Sequence, residues 1–206
     1  MTAIVHLLRH ADHGHVGKIL TGRLPDVHLS AIGRAQAEVL GERMAAVGLD
    51  GLYSSPQPRA LETAQAIADA TGLAVRVVPA FDEIDFGSWT GQTFKALDRD
   101  PRWRVWNARR DSARTPGGET MADVATRATG LLETLAGQMP GASIGVVSHS
   151  DVIKACICRY LDLPFQHIHL FDIDPVSITS LLVEADGGTV LTLNEPGCAE
   201  PEEAIH

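Results

Sequence analysis

The run Ala3-Ile4-Val5-His6-Leu7-Leu8-Arg9-His10-Ala11 begins as an apolar stretch and ends on two groups that carry charge or titrate. A short apolar run of this kind reads as a buried strand in a parallel sheet. The design recurs at Ser143-Ile144-Gly145-Val146-Val147-Ser148-His149-Ser150, where a second apolar run ends on a second histidine. In open sheets that alternate with helices, ligands gather beyond the carboxyl ends of the strands. His10 and His149, far apart in the chain, are therefore expected at one end of one sheet.

Working outward, Ser30 reads as a helix N-cap. Ile32, Ala35, Val39, Leu40, Met44 and Val47 follow it at helical spacing, and Gly48 is a stop signal. Gly51–Ser54 reads as a second strand. Arg59–Thr71 reads as a helix with Leu61, Ala64, Ile67 and Ala68 at helical spacing, closed by Gly72, and Ala74–Val78 as a third strand. Residues 81–118 differ: they hold all three tryptophans with many glycines, prolines and charges, and read as an excursion of loops and short helices over one end of the sheet. Thr120 with Asp123 caps a helix to about Met139, with Val124, Ala128, Leu131, Leu132 and Leu135 inward. The helix after His149 places Val152/Ile153, Cys156/Ile157 and Tyr160/Leu161 at four-residue intervals. Ser177–Glu184 and Thr189–Leu193 read as a hairpin around Asp186-Gly187-Gly188. The alternation gives an α/β class, a three-layer α/β/α sandwich with one mostly parallel mixed sheet.

At 206 residues the chain reads as a single domain over 1–206, with 195–206 a flexible tail. The net charge of −9 argues against nucleic-acid and anionic-membrane partners, so an anionic ligand needs local positive charge. The apolar runs fall short of a membrane span, and the N-terminus lacks the features of a signal peptide. Cys156, Cys158 and Cys198 form neither an even framework nor a C-x-x-C pair and read as reduced thiols, which points to a cytoplasmic location.

A histidine at a strand end attacks phosphorus when it is neutral and its other ring nitrogen is held by an acceptor. A transferring phosphoryl group also needs fixed positive charge, which arginine supplies with forked donors. Arg9 precedes the first histidine. Arg59 opens a helix after the polar entry Ser54-Ser55-Pro56-Gln57-Pro58.

These residues carry a resemblance. Leu7-Leu8-Arg9-His10-Ala11 is similar to the signature of the histidine phosphatase superfamily, also called phosphoglycerate mutase-like. Leu20-Thr21-Gly22-Arg23 with Leu29–Ala37, Ser54–Ala64, Glu83–Gly91, Pro116-Gly117-Gly118-Glu119 and Val147-Ser148-His149 follow in the family's order, so the match spans about Ile4 to Leu193. The resemblance implies that His10 is the nucleophile that becomes phosphohistidine. Arg9, Arg59 and His149 would grip the phosphoryl oxygens, with Gly22, Arg23 and Ser150 as further substrate-binding positions. Glu83, desolvated by Ile84, Phe86 and Trp89, would be the general acid and base. Asp82, Asp85 and Asp151 are alternative acids nearby, Asp151 foremost. The substrate implied is a small-molecule phosphate ester, with no metal and no organic cofactor. The oligomeric state stays open, a homodimer being one option.

The chain departs from the family's R-H-G-x-T-x-x-N at three points. Ala11 stands for glycine, His13 for threonine and Val16 for the asparagine that often contacts phosphate; Ser150 stands for the glycine commonly found after the second histidine. Three other readings compete. His10, Asp12, His13 and His15, with His167 and His169, make a metal site conceivable, although no H-x-x-x-H helix accompanies them. A non-catalytic phospho-ligand module would lack some of the five reactive side chains. A phosphoglycerate mutase-type transferase would draw on Arg102, Arg104, Arg109, Arg110 and Arg114, but the compact excursion favours a phosphatase.

Overall fold

The computed structural model describes residues 2–197. Six strands form one sheet: β1 (Ala3–Arg9), β2 (Gly51–Ser54), β3 (Val75–Val77), β4 (Ser143–Ser148), β5 (Ile178–Glu184) and β6 (Gly187–Glu195). Their order is β3-β2-β4-β1-β5-β6. The β3-β2-β4-β1 half is parallel, and β5 and β6 add antiparallel to β1 and to each other. The register pairs Arg9 with Ser148. That one pairing sets His10 and His149 side by side as their strands end, and the His10 backbone N–H donates to the Ser148 carbonyl at 3.0 Å.

Helices α1 (Ala31–Val47) and α2 (Pro58–Thr71) cover one face; the long helices on the other are α5 (Met121–Gln138) and α6 (Ser150–Tyr160). Alternate residues of β1 divide between two cores: Leu8 joins α1 and α2, while Val5 and Leu7 join α5 and α6. The expected caps are in place. Ser30 Oγ accepts from the Gly33 N–H, Gly48 and Gly72 close α1 and α2 in left-handed conformation, and Thr120 with Asp123 forms a reciprocal capping box. The final hairpin turns on Ala185-Asp186, one residue earlier than expected, and β6 continues to Glu195. Cys198 and the rest of the expected tail lie outside the described residues.

On two helices the apolar residues at helical spacing do not all face the core. On α1, Ile32 is 69 % exposed and Val39 and Val47 also face outward, while Gly33, Ala37, Leu40, Gly41 and Met44 are buried. The helix approaches backbone through its glycines: a Cβ on Gly33 would lie 1.9 Å from the Asp12 carbonyl oxygen, and one on Gly41 2.7 Å from that of Ala66. At the end of α6, Leu161 is exposed because the helix stops at Tyr160.

Residues 81–118 form an excursion of loops, two short helices and a 3-10 turn at Gly87–Trp89. The helices are α3 (Phe94–Leu97) and α4 (Pro101–Ala108). Trp89 meets Trp103 edge-on at 5.2 Å, and its indole N–H donates to Asp100 Oδ2 at 2.9 Å, which fixes the excursion as a folded wall. Cys156 and Cys158 are buried reduced thiols, pushed up by desolvation to about 12 and about 11.

Candidate active site

The ends of β1 and β4 and the start of α2 converge as the strand-end argument requires. His10 is 3 % exposed, and its Nδ1–H donates to the Ala11 carbonyl at 2.8 Å. The lone pair is therefore on Nε2, which accepts from Arg59 Nε at 3.3 Å. Burial first, then the charges of Arg59 and Arg9, hold the imidazole well below its ordinary 6.5, so it is neutral at physiological pH.

Arg59 has no exposed surface and spans the site. Its Nη2 donates to the Gly22 carbonyl at 2.8 Å and to His149 Nδ1 at 3.2 Å, while Nη1 has no partner. Pro58 starts α2 and Thr63 Oγ1 accepts from the Ala11 N–H at 3.1 Å, which ties the arginine's helix to the histidine's strand end. Arg9 donates from Nη1 to the Ile173 carbonyl at 2.5 Å, and its buried Nε is unpartnered. A buried and a half-buried guanidinium, each with an unspent donor, beside one neutral imidazole concentrate positive charge locally in an otherwise acidic protein.

His149 caps α6 and is fully buried. Its Nε2–H donates to Ser55 Oγ at 2.7 Å, so Nδ1 is the nitrogen that accepts from Arg59. Burial and the Arg59 charge hold it, too, well below 6.5. The His10 and His149 ring centroids are 5.1 Å apart.

Glu83 completes the group. One carboxylate oxygen accepts from the Ile84 N–H at 2.9 Å; the other lies 3.9 Å from Arg59 Nη2 and 3.7 Å from His149 Nδ1. Desolvation, then the nearby Asp151 charge, raises its pKa from 4.5 to about 7 against the opposing pull of Arg59. Among the alternative acids, Asp151 pairs with Arg110 at 3.3 Å, Asp82 accepts from Gln57 Nε2 and the Glu83 N–H, both at 2.7 Å, and Asp85 accepts from the Gly87 N–H at 2.8 Å.

A cavity of about 120 Å³ opens above these groups. Arg9, His10, His13, Gly22, Glu83, Ser150 and Asp151 line it, and Val16, Ile19, Leu20, Phe86 and Phe94 form an apolar wall. Ser150 and Gly22, two of the positions the resemblance suggested, thus line the cavity. Gly22 is in left-handed conformation, and a Cβ there would lie 3.0 Å from the Phe86 ring. Arg23 faces elsewhere: Nε donates to the Glu83 carbonyl at 2.7 Å, and the guanidinium pairs with Asp82 and Glu119. Among the described residues, no group of three or more His, Cys, Asp or Glu side chains is arranged to hold a metal ion.

Three residues that the sequence reading gave no role support the site. Ser55 fixes the His149 tautomer. Glu119 accepts from Arg23 and from the Asp85 N–H, both at 2.9 Å. Arg127 donates to the Ala80 carbonyl at 2.7 Å and to Glu119, bracing the segment that carries Glu83. Arg127 had a signal: it shares the α5 stripe of Val124 and Leu131, where an arginine needs buried acceptors.

Comparison with known proteins identifies the family. A family model described as histidine phosphatase superfamily (branch 1) matches residues 5–196. Phosphoserine phosphatase 1 of Hydrogenobacter thermophilus is 31 % identical, over 91 % of this chain and 90 % of its own length. Glucosyl-3-phosphoglycerate phosphatase of Mycobacterium tuberculosis is 35 % identical, over 77 % of this chain and 75 % of its own. The crystal structure of phosphoserine phosphatase from Entamoeba histolytica in complex with 3-phosphoglyceric acid superposes with a TM-score of 0.83 at 28 % identity, covering 94 % of this chain and 97 % of that one. The chain belongs to branch 1 of the histidine phosphatase superfamily and is a phosphatase enzyme of that family.

Proposed function

We propose that this phosphatase hydrolyses a small phosphate monoester in two in-line steps through a phosphohistidine on His10, without metal or organic cofactor. In the first step His10 Nε2 forms a bond to phosphorus as the bond to the leaving alcohol oxygen breaks. The protonated Glu83 carboxyl delivers its proton to that oxygen. In the second step the Glu83 carboxylate takes a proton from water, whose oxygen attacks phosphorus and returns the bonding pair to His10. A pKa of about 7 suits both roles, because acid and base forms are comparably populated near neutrality.

The observation that carries this reading is the fixed tautomer of a neutral His10, with Nδ1–H on the Ala11 carbonyl and the lone pair on Nε2. The Arg59 Nε donor now on that lone pair suits a phosphoryl oxygen better, and its transfer to the substrate frees the nucleophile. Arg9 Nε and Arg59 Nη1 supply further unspent donors for charge on the equatorial oxygens. His149 fits the same role once its Nδ1 carries a proton. Gly22 and Ser150 contribute as cavity wall; Arg23 contributes by holding the Glu83 backbone.

The chain acts as one domain whose 81–118 excursion forms the substrate wall. No helix among the described residues is long and apolar enough to cross a membrane, and we place the enzyme in the cytoplasm, acting on a metabolite and not on nucleic acid. The names of the relatives make phosphoserine and glucosyl-3-phosphoglycerate the first esters to assay. The test is steady-state hydrolysis of p-nitrophenyl phosphate by wild type and His10→Ala after exhaustive chelation. Wild-type turnover should survive chelation and the variant should have none. A fully active His10→Ala, or loss of wild-type activity that added metal restores, overturns the reading.

A further inference from the structure

His13 stands where the superfamily signature has threonine, and Val16 leaves no polar group where asparagine often meets phosphate. His13 is buried and lines the cavity beside His10, with the two ring centroids 5.3 Å apart. Its Nδ1 accepts from the His15 backbone N–H at 3.3 Å, within the short loop that follows β1. That bond puts the ring proton on Nε2, which has no hydrogen-bond partner among the described residues. A donor in a cavity wall, next to the nucleophile, open to the cavity and held by no protein acceptor, is available to an acceptor that enters it.

We infer that the Nε2–H of His13 donates a hydrogen bond to a non-bridging oxygen of the phosphoryl group as it passes to His10. The inference rests on the reading of His10 as nucleophile. The ring is suited to the task. It is anchored at one nitrogen, so its orientation does not depend on the substrate. Burial, then the Arg59 charge, holds its pKa down at about 4, so it stays a neutral donor and does not compete with the arginines for the anion's charge. His15, 5.9 Å beyond, and Asp12, whose Oδ2 accepts from the Gly14 N–H at 2.9 Å and from Ser30 Oγ at 2.7 Å, fix the loop from behind.

Orthovanadate binding and kcat/KM on p-nitrophenyl phosphate, measured for wild type, His13→Ala and His13→Gln, test the inference. Glutamine carries an N–H close to the position of the imidazole Nε2. Loss of a hydrogen bond to a charged group corresponds to roughly a 10- to 100-fold effect. Vanadate affinity and kcat/KM should both fall by that factor in His13→Ala and recover most of the way in His13→Gln. In nitrogen-15 spectra of the wild type, the His13 Nε2 resonance, assigned by its absence in His13→Gln, should move when inorganic phosphate is added. Three results each overturn the inference: an unmoved resonance, unchanged vanadate affinity in a folded His13→Ala, or equal losses in both variants. The acid-labile phosphoenzyme of the wild type, trapped in parallel, separates the two levels. Its absence removes the parent reading as well, whereas its presence with any of the three results removes His13 alone.

Discussion

Glu83→Gln should make the protein more stable at pH 8 while it cripples the enzyme. The carboxyl titrates at about 7 in the folded chain against 4.5 as the ordinary value, chiefly because folding removes it from water. Between those two values the native state holds a proton that the unfolded chain has released, so stability falls as pH rises. Above pH 7 the loss is complete, and at 1.36 kcal/mol per tenfold it amounts to about 3 kcal/mol. Glutamine keeps the shape and the acceptor for the Ile84 N–H, a bond of 2.9 Å, but has no charge to desolvate. At pH 8 the variant should therefore gain up to about 3 kcal/mol, or roughly 6–12 °C in Tm for a chain of this size. Near pH 4.5 the gain should vanish. Groups remote from the site titrate alike in both proteins, so the difference between their urea-unfolding curves at several pH values isolates Glu83 together with the charges that face it, Asp151, Arg59 and Arg9. Parallel pH dependences from pH 5 to 8, or a variant less stable at pH 8, would refute the reasoning.

The same substitution should discriminate between leaving groups. An alkyl phosphate should lose about 10²- to 10⁴-fold in kcat, the usual worth of a general acid, while p-nitrophenyl phosphate, which needs little protonation, loses far less; equal losses would assign the proton to another acid. Arg23→Ala releases the Glu83 carbonyl, held at 2.7 Å, without touching the phosphoryl donors. It should lower kcat several-fold and leave phosphate inhibition unchanged, and a weakened phosphate constant would make Arg23 a direct ligand. Gly33→Ala drives a methyl group to 1.9 Å from the Asp12 carbonyl oxygen. It should destabilise by about 1–3 kcal/mol in urea unfolding, whereas Ala→Gly at the exposed Ala46 should cost about 1 kcal/mol or less.

The strand-end histidines and Arg59 were legible because their signal is local: an apolar run, then a polar group where the sheet opens. The sheet register that pairs Arg9 with Ser148 follows from two similar strands lying side by side. The inward face of α1 was not legible from apolar spacing. Gly33 and Gly41 carry no hydrophobic signal, yet they let the helix press against backbone, and that contact turns Ile32 and Val39 to solvent. Arg23 lies within a recognisable motif, but the carboxylates that claim it, Asp82 and Glu119, are remote in sequence and reach it only after the excursion folds. Ser55 and Glu119 act through other residues, and a serine or glutamate in a polar loop looks the same whether it orients a catalytic group or faces water. The left-handed backbone of Val176, with φ of 55°, has no sequence signal either; its N–H donates to the Arg9 carbonyl at 3.1 Å, so the strain sits directly behind the site.

Rapid quenching of wild-type enzyme during turnover, followed by peptide mapping under alkaline conditions, asks most directly where the phosphoryl group resides. A single acid-labile phosphoryl group on the peptide carrying His10, formed at least as fast as the enzyme turns over, is the expected finding. No covalent species within the turnover time, or a phosphoryl group on any other side chain, would contradict it.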